Sequence, residues 1–543
     1  MRRKFLYLLF IYVPLLFSTN ESKAKTFYVD PINGSMDNDG SYIAPWSTLQ
    51  EVFDHDLIET QSWSPLPYEA GVSVLIPKNE GAPVHAGDTL MLLSGLHGKV
   101  FIRGAVNAAD IVIMAAPGAK PILADIQLSA AMHWQLIGLT FDASAYNFTS
   151  NGTFIFLESH GWHGPSAYIR ISGCTLRSIP DAASWSMDDW NEKSVSGILI
   201  EGDHSVVEDN ILLNVNFGIS ISGNSSQVLR NRITNFAGDG IRPNGSFINV
   251  ESNIIKNCYD VNANHDDGIQ SFNLNNERFE FNTIRGNTII NYEDINQPFR
   301  GALQGIGCFD GPYRNWTIEN NLIVVDHWHG ISMYGAYDCK IINNTVIDPT
   351  PDVTPGPAWI LVTDHKDGTP SEGCVVQNNL ACQINVDTLV SNNLIAKSYA
   401  DYDLFFSDFN AGDFSLNASS PAIDAGLDSV APHTDIRGVI RPQGAHVDVG
   451  AYEYVDSVSN HVYSIDNQFG KLKAFPNPVN EQLYLVGKIQ LPVFIYSTSG
   501  KLRRIVTEVE YDSHSSRISL PGLENGAYFL ITADGYHCSF IKK

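Results

Sequence analysis

One phrase recurs down the middle of the chain: an apolar residue, one or two polar ones, an asparagine, then another apolar step. It reads Val207-Glu208-Asp209-Asn210-Ile211, Leu229-Arg230-Asn231-Arg232-Ile233, Val250-Glu251-Ser252-Asn253-Ile254, Ile284-Arg285-Gly286-Asn287-Thr288, Ile318-Glu319-Asn320-Asn321-Leu322, Ile341-Ile342-Asn343-Asn344-Thr345 and Val375-Val376-Gln377-Asn378-Asn379. The aligned asparagines 210, 231, 253, 287, 321, 344 and 379 step by 21, 22, 34, 34, 23 and 35 residues. A base period of about 22 with insertions is the mark of a right-handed parallel β-helix. Successive coils stack at the strand spacing of about 4.8 Å. Each Asn then lies over the next, where its amide can bond neighbours above and below, and Asn tolerates left-handed turn geometry. These asparagines are expected to be structural.

A second repeat tracks the first: Gly218-Ile219-Ser220-Ile221, Gly240-Ile241-Arg242-Pro243, Gly268-Ile269-Gln270-Ser271, Ala302-Leu303-Gln304-Gly305, Gly330-Ile331-Ser332-Met333 and Trp359-Ile360-Leu361-Val362. Apolar residues alternate with polar ones in most of them, so one side packs the coil interior and the other faces solvent. Stacking Ile219, Ile241, Ile269, Leu303, Ile331 and Ile360 gathers a polar stripe on the outer face. It holds Asp239 and Arg242, then His265, Asp266, Asp267 and Gln270, then Arg300 and Gln304, then His327, His329 and Tyr334, and last Asp364, His365 and Lys366. Coils before and after are plainer.

Composition bounds the partners. Of 543 residues 44% are hydrophobic, enough for a large core, and the formal net charge is −25. A field of that sign repels nucleic acid and anionic lipid. A polyanionic substrate needs a local Arg/Lys cluster or a bound cation. Seven cysteines are too sparse for a disulfide scaffold. Met1-Arg2-Arg3-Lys4, an apolar run from Phe5 to Phe17 and Ser22-Lys23-Ala24 make a signal peptide over residues 1–24. No other segment reaches the ~18 apolar residues of a membrane span.

Residues 25–455 are assigned to the β-helix, 456–471 to a polar linker, and 472–543 to a small β-sandwich of alternating strands. Phe475-Pro476-Asn477-Pro478, Tyr496-Ser497-Thr498-Ser499-Gly500-Lys501 and Leu523-Glu524-Asn525-Gly526-Ala527-Tyr528 closely resemble the type IX secretion sorting domain of Bacteroidetes. The resemblance implies passage through the outer membrane by that machinery, then release or attachment at the cell surface. Phe27-Tyr28-Val29-Asp30, Asp39-Gly40, Pro45-Trp46 and Thr48-Leu49 resemble the opening cap of secreted bacterial β-helix proteins. Ser420-Pro421-Ala422-Ile423-Asp424-Ala425-Gly426, Asp435-Ile436-Arg437-Gly438 and Asp448-Val449-Gly450-Ala451-Tyr452-Glu453 resemble their usual end. The chain is thus similar to the pectate-lyase-like superfamily of carbohydrate-active proteins. It shows no match to the catalytic patterns of pectate lyases, chondroitinase B-type lyases or polygalacturonases, so no residue role transfers.

The stripe is read as a groove for polysaccharide. Asp-Gly at 239–240 and 267–268 is also ordinary turn chemistry, and Arg300 has Asp267 as an ion-pair candidate. Taken together, the ionisable groups suit removal of the proton beside a uronate carboxylate, which needs a neutraliser, a base and an acid. His265, Asp267, Arg300, His329, Tyr334 and Lys366 are the catalytic candidates. Arg242, Gln270, Gln304, His327 and Trp328 are the substrate-binding candidates. Asp239 and Asp267 are candidate ligands for a Ca²⁺, which carboxylate oxygens suit. Insertions at 178–194, 273–281 and 292–299 would wall the groove. Trp162, Trp185, Trp190, Tyr313, Trp316 and Trp328 are expected to be exposed for sugar stacking. β-Elimination leads. A glycoside hydrolase using Asp239 with Asp267 or Asp267 with Asp310, a uronate epimerase and a non-catalytic glycan-binding surface are the alternatives. A monomer is expected.

Overall fold

The computed structural model describes residues 24–148, 152–273, 279–386 and 389–456. In the C-terminal unit it describes 474–475, 479–486, 489, 493–497, 502–506, 509–511, 515–521, 523, 525–532 and 537–543. The expected signal peptide up to residue 23, the expected linker from residue 457 and parts of the 273–281 insertion and of the sorting-domain motifs lie outside these residues. The chain divides into two compact units at Asp456/Ser457.

The first unit is a parallel β-helix with three faces. Face A runs through Thr153–Glu158, Ser196–Ile200, Ile219–Ile221, Ile241–Pro243, Asp267–Ser271, Gln304–Cys308, His329–Tyr334, Trp359–Thr363 and Gln383–Val386. Face B runs through Val206–Glu208, Gln227–Leu229, Asn249–Glu251 and their successors to Leu389–Ser391. Face C runs from Ile211–Val215 and Arg232–Phe236 to Leu394–Ile395. Ile219, Ile241, Ile269, Ile306, Ile331 and Ile360 pair in register down face A. All are essentially buried, as the alternation predicts.

One coil departs from the expected register. Ile306, not Leu303, stands between Ile269 and Ile331, so Gln304 pairs with Asp267 rather than lying beside Gln270. The reason is a glycine column. A Cβ on Gly305 would lie 2.2 Å from Gly330 O and 2.7 Å from Ile323 Cγ2. Gly240 and Gly268 are equally crowded, with nearest atoms at 2.5 Å for both. Gly305-Ile306 therefore continues Gly268-Ile269, and Ala302-Leu303 falls in the preceding turn. Gly305→Ala should force two coils apart and lower stability by about 3 kcal/mol, read by chemical denaturation. Gly161→Ala, with open space around it, should leave it unchanged.

The asparagine ladder forms at the corner between faces B and C. Asn210, Asn231, Asn253, Asn287, Asn321, Asn344 and Asn379 are buried, and each side-chain amide donates to the oxygen of the next at 2.9–3.0 Å. The left-handed residue is the one before each: Asp209, Arg230, Ser252, Gly286, Asn320, Asn343 and Asn378 have φ between 53° and 63°. The ladder Asn is thus selected for hydrogen bonding, and its neighbour carries the turn.

At the N-terminal end, Thr26–Val29 pairs with Thr89–Leu92, and helix Leu49–Asp54 closes the coil behind a Thr48/Glu51 capping box. Trp46 stacks on Phe27 at 5.1 Å. At the other end Arg441, 6% exposed, donates to Glu453 and to the carbonyls of Asp448 and Gly450. In the second unit two four-stranded antiparallel sheets bury Leu483, Leu485, Val493, Ile495, Ile518 and Leu530.

Candidate functional site

Outward residues of face A are Arg242, Gln270, Gly307, Ser332 and Leu361, in register on successive coils. The turns from C to A flank one side of this strip, and the turns from A to B flank the other. Two clusters form on it.

The first is a carboxylate network. Asp239 Oδ1 accepts from the Asp267 amide at 2.9 Å, and its Oδ2 accepts from Arg242 Nε at 2.5 Å. The Arg242 guanidinium lies 3.9 Å from the Phe217 ring centre. Gln270 Nε2 donates to Asp267 Oδ2 at 2.9 Å. Asp267 Oδ1, Asp266 Oδ1 and Gln304 Oε1 are buried without a hydrogen-bond partner among the described residues. Burial raises Asp239, with Arg242 pulling it back. Burial, then Asp239 and Asp266, raises Asp267 well above the carboxylate range. Burial, then the carboxylates of Asp260 and Asp239, lifts Asp266 to about 7 although Cys258 bonds it.

This network lies beneath the surface. Asp239 and Asp267 are 1% and 0% exposed. A Cβ on Gly307 would stand 2.3 Å from Asp267 Oδ1 and 2.5 Å from the Phe309 ring. The missing side chain leaves room for both, and Phe309 closes over the carboxyl. Gln304, expected outward as a substrate contact, is 8% exposed because the corrected register puts it in the Asp267 column. Both oxygens of Asp239 are engaged within the protein. Among the described residues no group of three or more His, Cys, Asp or Glu is arranged to hold a metal ion.

The second cluster is part-exposed: Phe309, His327, His329, Tyr334 and Trp359 are half-buried around a buried Ser332. The Phe309 ring meets His329 edge-on at 4.9 Å and Tyr334 at 5.6 Å. His327 stacks on His329 at 5.2 Å. His329 Nδ1 lies 2.8 Å from Ser332 Oγ, and the Trp359 indole N–H reaches Ser332 Oγ at 3.2 Å and Nδ1 at 3.3 Å. Burial, then His327, pushes His329 down to about 4. Burial, then His265, lowers His327. Burial raises Tyr334, opposed by Lys366 on the next coil. Lys366 Nζ is 3.4 Å from Asp310. The structure therefore brings His327, His329, Tyr334 and Lys366 together, with exposed His265 between the two clusters.

Other candidates fall elsewhere. Arg300 does not pair with Asp267: it donates to Ile295 O at 2.7 Å and lies over Tyr292 at 4.4 Å, held by its own loop. Trp328, 39% exposed, stays beside the second cluster: its ring meets His327 at 5.6 Å and stacks on Trp359 at 6.2 Å, and its indole donates to Gly356 O at 3.1 Å. Trp162 is 54% exposed, but Trp185, Trp190, Tyr313 and Trp316 are buried, correcting the expectation of open stacking surfaces. Trp185 and Trp190 build a small core of their own with Ala182, Ala237 and Val261, which fastens the 178–194 insertion and its helix Met187–Lys193. Tyr313 and Trp316 turn inward from the A–B corner, where their polar atoms bond Ser271 O and Phe279 O.

Sequence reasoning placed Ser332 outward without a role, and it missed Phe309, Trp359 and a carboxylate pair. Leu157 pairs with Ile200, which places Glu158 and Glu201 side by side on adjacent coils of face A, about 4.8 Å apart at the backbone. Glu158 Oε2 accepts from Gln127 and Glu201 Oε2 from the Ser159 amide, both at 3.1 Å. Burial, then Glu158, raises Glu201. Both are half-buried rather than sealed. The shared signal was Leu157-Glu158 and Ile200-Glu201, an apolar residue followed by Glu. The 178–194 insertion stretched their spacing far beyond the 22-residue period. A cavity of about 740 Å³ opens on face B by Arg285, Lys340 and His433. Its carboxylate, Glu319, is held by Arg285.

A family model described as right handed beta helix region matches residues 147–395, and one described as secretion system C-terminal sorting domain matches residues 473–543. No curated protein matches the chain. Among solved structures the chain is similar to pectate lyase Pel9A, with 16% identity and a TM-score of 0.40 over 80% of this chain and 97% of that one. It is similar to the A-module of the Azotobacter vinelandii mannuronan C-5 epimerase AlgE6, with 15% identity and a TM-score of 0.39 over 57% of this chain and 91% of that one. A third likeness is the PL6 family polysaccharide lyase Pedsa3628 from Pseudopedobacter saltans, with 13% identity and a TM-score of 0.38 over 69% of this chain and 96% of that one. None of these likenesses fixes a reaction for this chain.

Proposed function

We propose that this chain, a right-handed β-helix protein exported with a type IX sorting domain, acts on polysaccharide and cleaves a uronate-containing glycan by β-elimination. The observation that carries the reading is the His329–Phe309–Tyr334 cluster: an imidazole and a phenol flanking one aromatic ring on a part-exposed face. Ser332 Oγ and the Trp359 indole N–H both lie on the Nδ1 side of the ring; in the tautomer whose Nδ1–H donates to Ser332 Oγ, Nε2 is left bare to take a proton. It would remove the proton beside the uronate carboxylate. The C–H pair becomes the new double bond, and the C–O bond to the leaving sugar breaks. Tyr334 would protonate that oxygen, Lys366 and Arg242 would offset the developing charge, and Phe309 would stack on the sugar. The sealed Asp239–Asp267 network offers a cation no open carboxylate, so Lys366 and Arg242 are the neutralisers in this reading.

The pH profile follows from the environment of His329. An ordinary histidine loses its base form below about 6.5. His329, held at about 4, keeps its base form to much lower pH, so the acid limb of kcat/KM should fall near pH 4. An acid limb above pH 6 would remove His329 as the base.

The accessible Glu158–Glu201 pair favours one second reading, retaining hydrolysis. Carboxyls about 5–5.5 Å apart suit a nucleophile and an acid, and Glu201 is the member biased toward its protonated form. The mature full-length chain, incubated with alginate, pectin, glycosaminoglycans, ulvan and neutral glycans, separates the two. Ultraviolet absorbance of an unsaturated uronate rising together with reducing ends supports elimination, and EDTA sensitivity adds the cation. Reducing ends alone transfer the activity to Glu158 and Glu201.

A further inference from the structure

The described residues carry six buried cysteines. Cys339 and Cys374 hold the same place in successive coils, one residue before the paired strands Lys340–Ile342 and Val375–Gln377. The Val375 amide donates to Cys339 O at 2.9 Å, so the backbone ladder is closed at this step. In-register parallel neighbours lie about 4.8 Å apart at Cα, inside the range of about 4.4–6.8 Å that a disulfide spans. Their side chains run parallel. Cys339 Sγ reaches Tyr337 O at 3.4 Å and Tyr313 O at 3.6 Å, while Cys374 Sγ reaches Ala336 O at 3.3 Å and Glu372 O at 3.6 Å. The two thiols also hydrogen-bond each other.

The compartment agrees. A chain bearing a type IX sorting domain leaves the reducing cytosol, and thiols exported through a periplasm meet oxidants. We propose that Cys339 and Cys374 are joined by a disulfide in the exported protein, a covalent staple between two coils at the candidate site. The stapled segment includes Trp359, His365 and Lys366, so the link ties the Lys366 loop to the coil that carries Tyr334.

Either cysteine, as its thiolate, attacks the disulfide of a periplasmic thiol oxidase and forms a mixed disulfide. The other cysteine then attacks the protein sulfur of that mixed disulfide, the protein S–S bond forms, and the oxidase leaves as a dithiol carrying the two protons and two electrons. The pair is 1% and 2% exposed, so the exchange precedes closure of these coils. Cys258 pairs with Phe236, and Cys308 with Ser271 and Met333.

Full-length protein recovered from the periplasm or medium would be denatured in acid, alkylated without reductant, digested and mapped by mass spectrometry. The peptides bearing residues 339 and 374 are expected as one cross-linked species that separates on reduction. In the Cys339→Ser variant Cys374 should appear alkylated. Recovery of both residues alkylated in the exported wild-type protein overturns the proposal. So does a link from either of them to Cys308.

Discussion

On a glycan that the protein cleaves, His329→Ala is expected to lower kcat by about 10²–10⁴-fold, the worth of a positioned proton transfer. The loss should fall on kcat more than on KM, because a base acts in the transition state and Phe309 remains as the stacking surface. Folding should survive: Trp359 keeps its bond to Ser332 Oγ at 3.2 Å, and the coil interior at Ile331 is untouched. His327→Ala refines the test. Its ring depresses His329, so its removal should move the acid limb of kcat/KM upward while leaving the rate at neutral pH near wild type. Glu201→Gln should leave elimination unchanged. If Glu201→Gln abolishes turnover and His329→Ala does not, the hydrolytic reading replaces the eliminative one.

Asn287→Ala should cost about 3–5 kcal/mol of stability, measured as a fall in the urea midpoint. The Asn287 amide donates to Val250 O at 2.9 Å and to Asn321 Oδ1 at 3.0 Å. Its oxygen accepts from the Asn253 backbone at 3.0 Å and from the Asn253 side chain at 2.9 Å. Every one of these groups is buried, and each left without a partner costs about 1–3 kcal/mol. Coils contact only their neighbours, so the damage should concentrate in the coils of Asn253 and Asn321 and show first in local hydrogen exchange. Asn296→Ala, on an exposed loop where the side-chain amide bonds Asp294 at 3.3 Å, should stay within about 0.5 kcal/mol.

How the site relates to the sequence differs from one element to the next. Arg242, Gln270 and Ser332 were legible as an outward stripe because alternation on a strand assigns sides directly. Gln304 was misplaced by three residues, since Ala302-Leu303 and Gly305-Ile306 both satisfy the alternation. Only the space between Ile323 and Gly330 O selects the glycine. Asp267 looked like an outer ligand, yet its exposure depends on Phe309, which folds back over Gly307 from beyond the strand. Glu158 and Glu201 escaped because the inserted helix between them hid their common phase.

By itself the sequence determined the parallel β-helix, the sorting domain and export, and which coils gather polar side chains on one face. Those follow from short-range periodicity and from motifs that repeat or match along the chain. The tertiary structure alone decided which polar groups are open and which are sealed. It separated the buried Asp239–Asp267 network from the part-exposed His329–Tyr334 cluster and set Cys339 over Cys374. Burial and contact between coils depend on loop lengths and on side chains folding back from remote turns, and no local pattern encodes those distances.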